Sequence, residues 1–219
     1  MQGKLIIIEG LDGCGKSTQL AMLEERFPGS RFLTFPNYDT PAGEIITEYL
    51  AERIPDGDAV HSAYSASTFY AADRYISFRK DWIVDYTDGK RIISARYTTS
   101  NAIYQMTKLP RELWDEYCAW LYDYEYNKLG IPAPDAVIFL DVPVEISQRL
   151  LTERYRGDES KKDKHEADPA YLMRCREAAM YAAGHDPYAS WTILNCCADG
   201  ELRSAESIQE ELAGIIEGL

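Results

Sequence analysis

The sequence predicts an α/β protein built on one parallel five-stranded sheet with helices on both faces and a lid. Three observations lead there. Short apolar runs alternate with longer helical stretches along all 219 residues. Each apolar run is bounded by Gly, Pro or charged residues, as strands buried on both faces are. A glycine-rich turn joins the first apolar run to the first helical stretch.

The first strand is expected at residues 4–9 and its helix at 16–26. Further strands are expected at 31–35, 91–95, 136–141 and 191–195. Helices are expected between and after them at 44–52, 63–85, 111–128, 144–154, 169–183 and 204–216. The last opens at Ser204, with Glu206 and Ser207 as capping partners, and closes near Gly218. Alternation of this kind implies parallel strands joined by crossover helices. In such sheets ligands collect beyond the carboxyl ends of the strands. No internal repeat or low-complexity linker divides the chain, so residues 1–219 read as one domain, with a lid at about 154–167.

Composition narrows the function classes. The hydrophobic fraction of 46% supports a packed core. Asp plus Glu is 36 against 23 Lys plus Arg, a formal net charge of −13. Polymeric nucleic acid is disfavoured as a partner by long-range repulsion. A small anion in a local basic pocket is not. The longest early apolar run, residues 5–8, is too short for a secretory segment or a membrane span. The five cysteines (Cys14, Cys118, Cys175, Cys196 and Cys197) include no C-x-x-C pair, which points to reduced thiols and a cytoplasmic setting. His61, His165 and His185 are scattered and form no metal-ligand spacing.

After the first strand the chain reads Gly10-Leu11-Asp12-Gly13-Cys14-Gly15-Lys16-Ser17-Thr18. This is G-x-x-x-x-G-K-[ST] between a strand and a helix, the P-loop NTPase arrangement. Gly10, Gly13 and Gly15 let backbone N–H groups turn inward around phosphate oxygens. Lys16 brings a point charge to the β- and γ-phosphates, and Ser17 and Thr18 open the helix whose N-terminus favours anions. The Ser17 hydroxyl is the expected Mg2+ ligand. Nucleoside triphosphate binding follows. The base-reading [NT]-K-x-D motif of GTPases is missing, since Asn127-Lys128 leads into Leu129-Gly130. No H-R-D or D-F-G triplet occurs, which excludes a protein kinase. A small phosphoryl-transfer enzyme remains.

Three segments bear on the acceptor. Phe35-Pro36 ends the second strand. Tyr70 and Arg74 stand four apart on one face of the third expected helix. An aromatic plane beside a guanidinium suits a base and a phosphate, although core packing of Tyr70 and a surface ion pair of Arg74 fit the same spacing. Arg96 sits at the end of the third strand, followed by Ser100, Tyr104 and Gln105, which can hydrogen-bond a base or sugar.

Taken together, residues 10–18, Phe35-Pro36, Ala72-Asp73-Arg74 and Arg96-Tyr97…Ser100…Tyr104-Gln105 resemble the thymidylate kinase family. Arg156-Gly157…Asp163-Lys164-His165-Glu166 resembles that family's lid. The resemblance spans nearly the whole chain and implies transfer of the γ-phosphoryl of ATP to dTMP, giving dTDP, with Mg2+. It implies that Tyr70 stacks on thymine and that Arg74 and Arg96 hold the acceptor phosphate. Ser100 and Gln105 would contact the base, Tyr104 would crowd the sugar 2′ position, and Asp12 would contact the 3′-hydroxyl. Phe35 and Pro36 would wall the pocket. Asn195 and Cys196 would back the adenine, and Arg149 would approach the nucleotide. The aromatics at 114–122 are explained by core packing, and a homodimer through such helices is implied by the resemblance alone.

The lid and three departures sharpen this expectation. Residues 154–164 carry five basic and three acidic side chains, fitting a loop that closes over phosphates. Some family members carry an Arg at the place of Gly13; others bring it from the lid. Gly13 puts this chain with the second group, with Arg156 the first candidate, Arg154 the second, and Lys161, Lys162 or Lys164 contributing. Where the family usually has Asp-Arg-Tyr or Asp-Arg-His, this chain has Ala95-Arg96-Tyr97. The lost carboxylate would lie near the metal, so reduced turnover, or a nucleotide-binding protein without catalysis, is an alternative. Asp12 could supply a nearby carboxylate, and Asp141 is a less well placed substitute. A kinase with another acceptor base is the other alternative. Asn37-Tyr38-Asp39 lacks an Arg that many members place there. Cys14 replaces a more usual Ala or Ser, either as a small side chain that fits the turn or as an activated thiol.

Overall fold

The computed structural model describes residues 2–55, 57–158 and 168–219. Its centre is a parallel sheet of β1 (Leu5–Gly10), β2 (Arg31–Thr34), β3 (Ile92–Ala95), β4 (Ala136–Asp141) and β5 (Ser190–Asn195), in the order β2-β3-β1-β4-β5. The register pairs Ile8 of β1 with Ala95 on one side and Ile138 on the other. Both faces are covered, which is why β1 reads as a continuous apolar run. Leu5 and Ile7 enter one core cluster, and Ile6 and Ile8 enter the opposite one. Burying each such side chain contributes about 1.5–3 kcal/mol. By the same alternation Glu9 points to the side of Leu5 and Ile7.

The helices are α1 (Lys16–Arg26), α2 (Pro41–Leu50), α3 (Ala59–Ser77), α4 (Ile83–Thr87), α5 (Thr98–Tyr104), α6 (Trp114–Tyr122), α7 (Val144–Arg154), α8 (Pro169–His185) and α9 (Ala205–Glu217). The sheet lies between α1 and α9 on one face and the aromatic layer of α3 and α6 on the other. Among the described residues, four helices have a side-chain N-cap. Thr40, Asp58, Asp168 and Ser204 each accept a backbone N–H from their helix's first turn.

Several expectations shift. The helix expected at 44–52 begins at Pro41, where the fixed φ of proline suits the first turn. The helix expected at 63–85 begins at Ala59 and runs through one π turn, Phe78–Trp82, into α4. The helix expected at 111–128 divides into a 3-10 turn (Arg111–Leu113), α6 and a second π turn (Asp123–Lys128). Helix α5 and the hairpin β6 (Cys197–Ala198) with β7 (Glu201–Leu202) were not expected at all. Strand β5 lies at the sheet edge, with Ile193 exposed, so its burial is one-sided. Among the described residues no helix is long and apolar enough to cross a membrane.

Leu23 of α1 is wholly buried against the sheet. Leu23→Ala should lower the unfolding free energy by about 2–5 kcal/mol, read by denaturant titration with an unchanged slope.

Candidate active site

The phosphate loop runs from the end of β1 into α1. Gly15 occupies the left-handed region and caps α1. Gly13 is also left-handed, at φ 79°, and a Cβ there would lie 2.6 Å from the Ser147 carbonyl oxygen. Only glycine meets both demands. The Lys16 Nζ donates to the carbonyls of Gly10 at 2.7 Å and Leu11 at 2.8 Å. Its charge is thereby held over the loop's concave face. Cys14 is buried in the core beneath the loop. That placement fits a small side chain filling the turn and withholds the thiol from solvent.

Beyond the loop lies a small polar cavity. Its walls include Asp12, Gly13, Lys16, Ser17, Ala95, Arg96 and Arg154. Arg96 has φ 68°, a left-handed conformation that costs about 1–3 kcal/mol outside glycine and gathers at functional sites. Two hydrogen bonds hold it there: its N–H donates to the Ile8 carbonyl, and its own carbonyl accepts from Ser94 Oγ. Its guanidinium is thereby aimed at Asp12, to which it is hydrogen-bonded as an ion pair. The guanidinium also lies 4.8 Å from the centre of the Tyr104 ring. Burial opposes the Arg96 charge, but Asp12, Tyr104 and Glu9 outweigh it and raise Arg96 well above its ordinary value. Ala95 presents only a methyl group here, in line with the departure already visible in the sequence. Asp12 shares this cavity, whereas Asp141 forks onto Arg176 with two bonds of 2.7 Å and is not among its walls. Asp141 is therefore a poor substitute.

A second cleft shares Asp12 and Arg96 with this cavity. It is lined by both of them together with Phe35, Pro36, Tyr70, Arg74, Ser100, Tyr104 and Gln105. Every residue expected to meet the acceptor thus faces one space. Pro36 follows a cis peptide bond, and the next residue, Asn37, donates its backbone N–H to Asp73. Tyr70 stands edge-on to Tyr49, at 87°. Tyr104 donates to the Gly10 carbonyl at 3.3 Å, and burial holds its phenol well above the ordinary value, so it stays neutral. The Gln105 side-chain oxygen is buried without a partner in the cleft wall. Ser100 donates to Glu9 Oε1 at 2.7 Å, which leaves its oxygen as an acceptor.

Arg74 differs from expectation. It is neither a surface ion pair nor a free cation. Its side chain is 2% exposed and forks onto Glu125, with Nε to Oε2 at 2.7 Å and Nη2 to Oε1 at 2.5 Å. Nη1 donates to the Tyr97 carbonyl. Its charge is already balanced before any acceptor phosphate arrives. The sequence offered no sign of this, because Glu125 lies 51 residues away on a π turn.

A third cavity adjoins the loop on the α9 side, between Gly13, Thr18, Gln19, Leu150, Arg154, Leu202, Arg203, Ala205 and Ile208. Three expected residues stand outside its walls. Arg149 is exposed and pairs with Glu201. Asn195 and Cys196 instead hold Arg203, whose Nη1 donates to the Asn195 carbonyl and whose backbone N–H donates to the Cys196 carbonyl. Their contact is with Arg203, a wall residue that follows the hairpin beyond the last expected strand.

The lid expectation also changes. Arg154 lines both the third cavity and the polar cavity. Arg156 is exposed, sits at φ 53° past the end of α7, and lines none of the three cavities. Arg154 therefore replaces Arg156 as the first candidate. Lys161, Lys162 and Lys164, and the 163–166 part of the lid motif, lie outside the described residues.

A phosphate loop on a β2-β3-β1-β4-β5 sheet, with a second cleft meeting it at Arg96, defines a P-loop phosphotransferase for a small acceptor. A sequence model of thymidylate kinase matches residues 8–195. A thymidylate kinase from Mycobacterium tuberculosis is 31% identical over 185 residues, covering 81% of this chain and 84% of that protein. A probable thymidylate kinase from Pyrococcus abyssi is 31% identical over 222 residues, covering 99% and 97%. The solved thymidylate kinase of Candida albicans shares the fold, with a TM-score of 0.72 at 24% identity over 99% of this chain and 92% of that one. The chain belongs to the thymidylate kinase family.

The crowding at Gly13 is directly testable. Gly13→Ala should cost roughly 1–3 kcal/mol of stability and weaken ATP binding, read by thermal melting with and without nucleotide.

Proposed function

We propose that this enzyme transfers the γ-phosphoryl of ATP to dTMP, giving dTDP and ADP. The observation that carries the reading is that Asp12 and Arg96 line both the acceptor cleft and the phosphate-loop cavity. An acceptor phosphate at Arg96 lies where the terminal phosphate of a nucleotide on the loop would end. An oxygen of that acceptor phosphate attacks the γ-phosphorus. The bond from the γ-phosphorus to the bridging oxygen breaks, and ADP leaves with its electron pair.

The residues divide the work. Lys16 and the N–H groups around Gly10, Gly13 and Gly15 cradle the donor phosphates, with Ser17 and Thr18 at the helix start. Arg96, oriented by Asp12, neutralises the acceptor phosphate so that one anion can approach another. Arg154 supplies positive charge from the donor side. Tyr70 stacks on thymine, with Phe35 and Pro36 walling the pocket. Gln105 offers its unpartnered oxygen to a base N–H, Ser100 adds an acceptor, and Tyr104 blocks a 2′-hydroxyl. Asp12 is also within the acceptor cleft to meet the 3′-hydroxyl.

Mg2+ fits the donor set. Among the described residues no three His, Cys, Asp or Glu gather into a metal site. One hydroxyl, Ser17, one carboxylate, Asp12, and the nucleotide's own oxygens suit Mg2+, which keeps waters and binds mainly through phosphates. When bound, the ion offsets charge on the transferring phosphoryl group. We further propose one catalytic domain, a homodimer through the aromatic helices, and a cytoplasmic location. Exposed Val60 and the partly buried Tyr64–Trp120 ring pair support an interface on that face.

Coupled ADP release with a panel of nucleoside monophosphates should show turnover with dTMP preferred; binding of dTMP without turnover would overturn the proposal. Arg154→Ala should lower kcat at least about 100-fold, with Arg156→Ala much milder; the reverse order would return the role to Arg156. Ala95→Asp should raise turnover most at low Mg2+, measured across a Mg2+ titration.

A further inference from the structure

We propose that Gln19 selects the donor base: its side-chain oxygen, fixed as an acceptor in the wall of the third cavity, takes the exocyclic amino group of adenine and turns away a purine with an oxygen at that position. The inference rests on the phosphoryl-transfer reading above and adds a donor specificity to it.

The cavities decide where a donor base can go. The polar cavity shares Asp12 and Arg96 with the acceptor cleft, and Gly13, Cys14, Gly15 and Arg154 with the third cavity. The acceptor cleft and the third cavity have no wall residue in common. A nucleotide with its phosphates on the loop, and the acceptor in its own cleft, therefore has the third cavity for its base. Leu150, Leu202 and Ile208 give that cavity apolar walls suited to a ring system. Arg203 adds a planar guanidinium on which a base can stack. Its hydrogen-bonding edge is already spent. Nε donates to the Ser207 hydroxyl, Nη1 to the Asn195 carbonyl and Glu211, and Nη2 to the Ser207 carbonyl and hydroxyl.

Gln19 is different. It stands in the first turn of α1, next to Thr18, and is 3% exposed. Its Nε2 donates at 3.0 Å to the carbonyl of Ala205, the first residue of α9. A carbonyl only accepts, so this bond settles which end of the amide is which. Oε1 is the other end, and it is buried with no hydrogen-bond partner among the described residues. Both Gln19 and Ala205 are walls of the third cavity. A buried acceptor without a partner is costly, and a base N–H relieves that cost. Adenine carries an amino group at C6, whereas guanine carries a carbonyl there. With Nε2 tied to α9, the amide cannot turn to offer that carbonyl a donor without breaking its bond to Ala205. Selection is thus built from two helices: α1 supplies the amide and α9 fixes its direction.

The test measures nucleotide binding by calorimetry with Mg2+ and no acceptor, so the result does not depend on dTMP being the substrate. Wild type should bind ATP at least about 10-fold more tightly than ITP, which has oxygen in place of the amino group. Purine riboside triphosphate, with hydrogen there, should fall between them, because it lacks the donor but brings no second acceptor. Gln19→Leu should weaken ATP and bring the ATP-to-ITP ratio to within about threefold of one. A residue that only holds α1 against α9 would weaken both nucleotides equally and leave the ratio at its wild-type value, and that outcome overturns the proposal. Wild type that binds ITP as well as ATP overturns it too, with no variant needing to fold. Wild type that binds no ATP would sink the donor reading and Gln19 with it. Turnover is read separately. With dTMP as acceptor, kcat/KM should follow the same donor order. A wild type that binds ATP selectively yet never phosphorylates dTMP would sink the acceptor reading and leave the role of Gln19 standing.

Discussion

Two buried carboxylates at the carboxyl end of the sheet organise everything the site requires. Glu9 closes β1 and takes the hydroxyls of Thr99 and Ser100. Glu125 takes Thr98, Asn101 and the fork of Arg74. Helix α5 is clamped between them by its own first turn. These hydrogen bonds offset part of the cost of burying the two carboxylates and fix where α5 sits, while Glu9 Oε2 is buried with no hydrogen-bond partner among the described residues. Tyr104 and Gln105 leave that helix at fixed angles into the cleft. The same α5 side of the sheet receives Arg96, whose strained backbone continues directly from β3.

Charge in this protein is a matter of placement. The chain carries a formal −13, yet Lys16, Arg96 and Arg154 gather around one small cavity. Lys16 rests on two carbonyls and Arg96 on Asp12. Lys16 and Arg96 are thus already held in position at the cavity wall. The acidic remainder of the surface repels long polyanions, while a small nucleotide meets local charge at short range, where screening is slight.

How much of this was legible in the sequence depended on the range of the forces involved. The phosphate loop was legible because its spacing is its mechanism. The strands were legible because burial on both faces writes an unbroken apolar run, as at Leu5 to Ile8. Helix α5 was not, since seven residues held by buried polar contacts show no apolar period. The π turns were invisible for the same reason. Arg154 and Arg156 differ only in where α7 stops, and helix ends are poorly encoded. Glu125 and Arg203 act on residues 51 and eight positions away, and no local pattern announces either pairing. Glu9 did leave a trace, as a lone acid ending an apolar strand, but the trace names no partner.

The close packing at Gly13 has an evolutionary meaning. Within this family an arginine can stand in the phosphate loop at that place or arrive from the lid side. Here the space a side chain would need is filled by the Ser147 carbonyl and by Leu151 of α7. A single mutation to arginine would meet backbone that cannot yield without moving the helix that carries Arg154. In this chain a side chain at residue 13 and the present seat of α7 exclude one another.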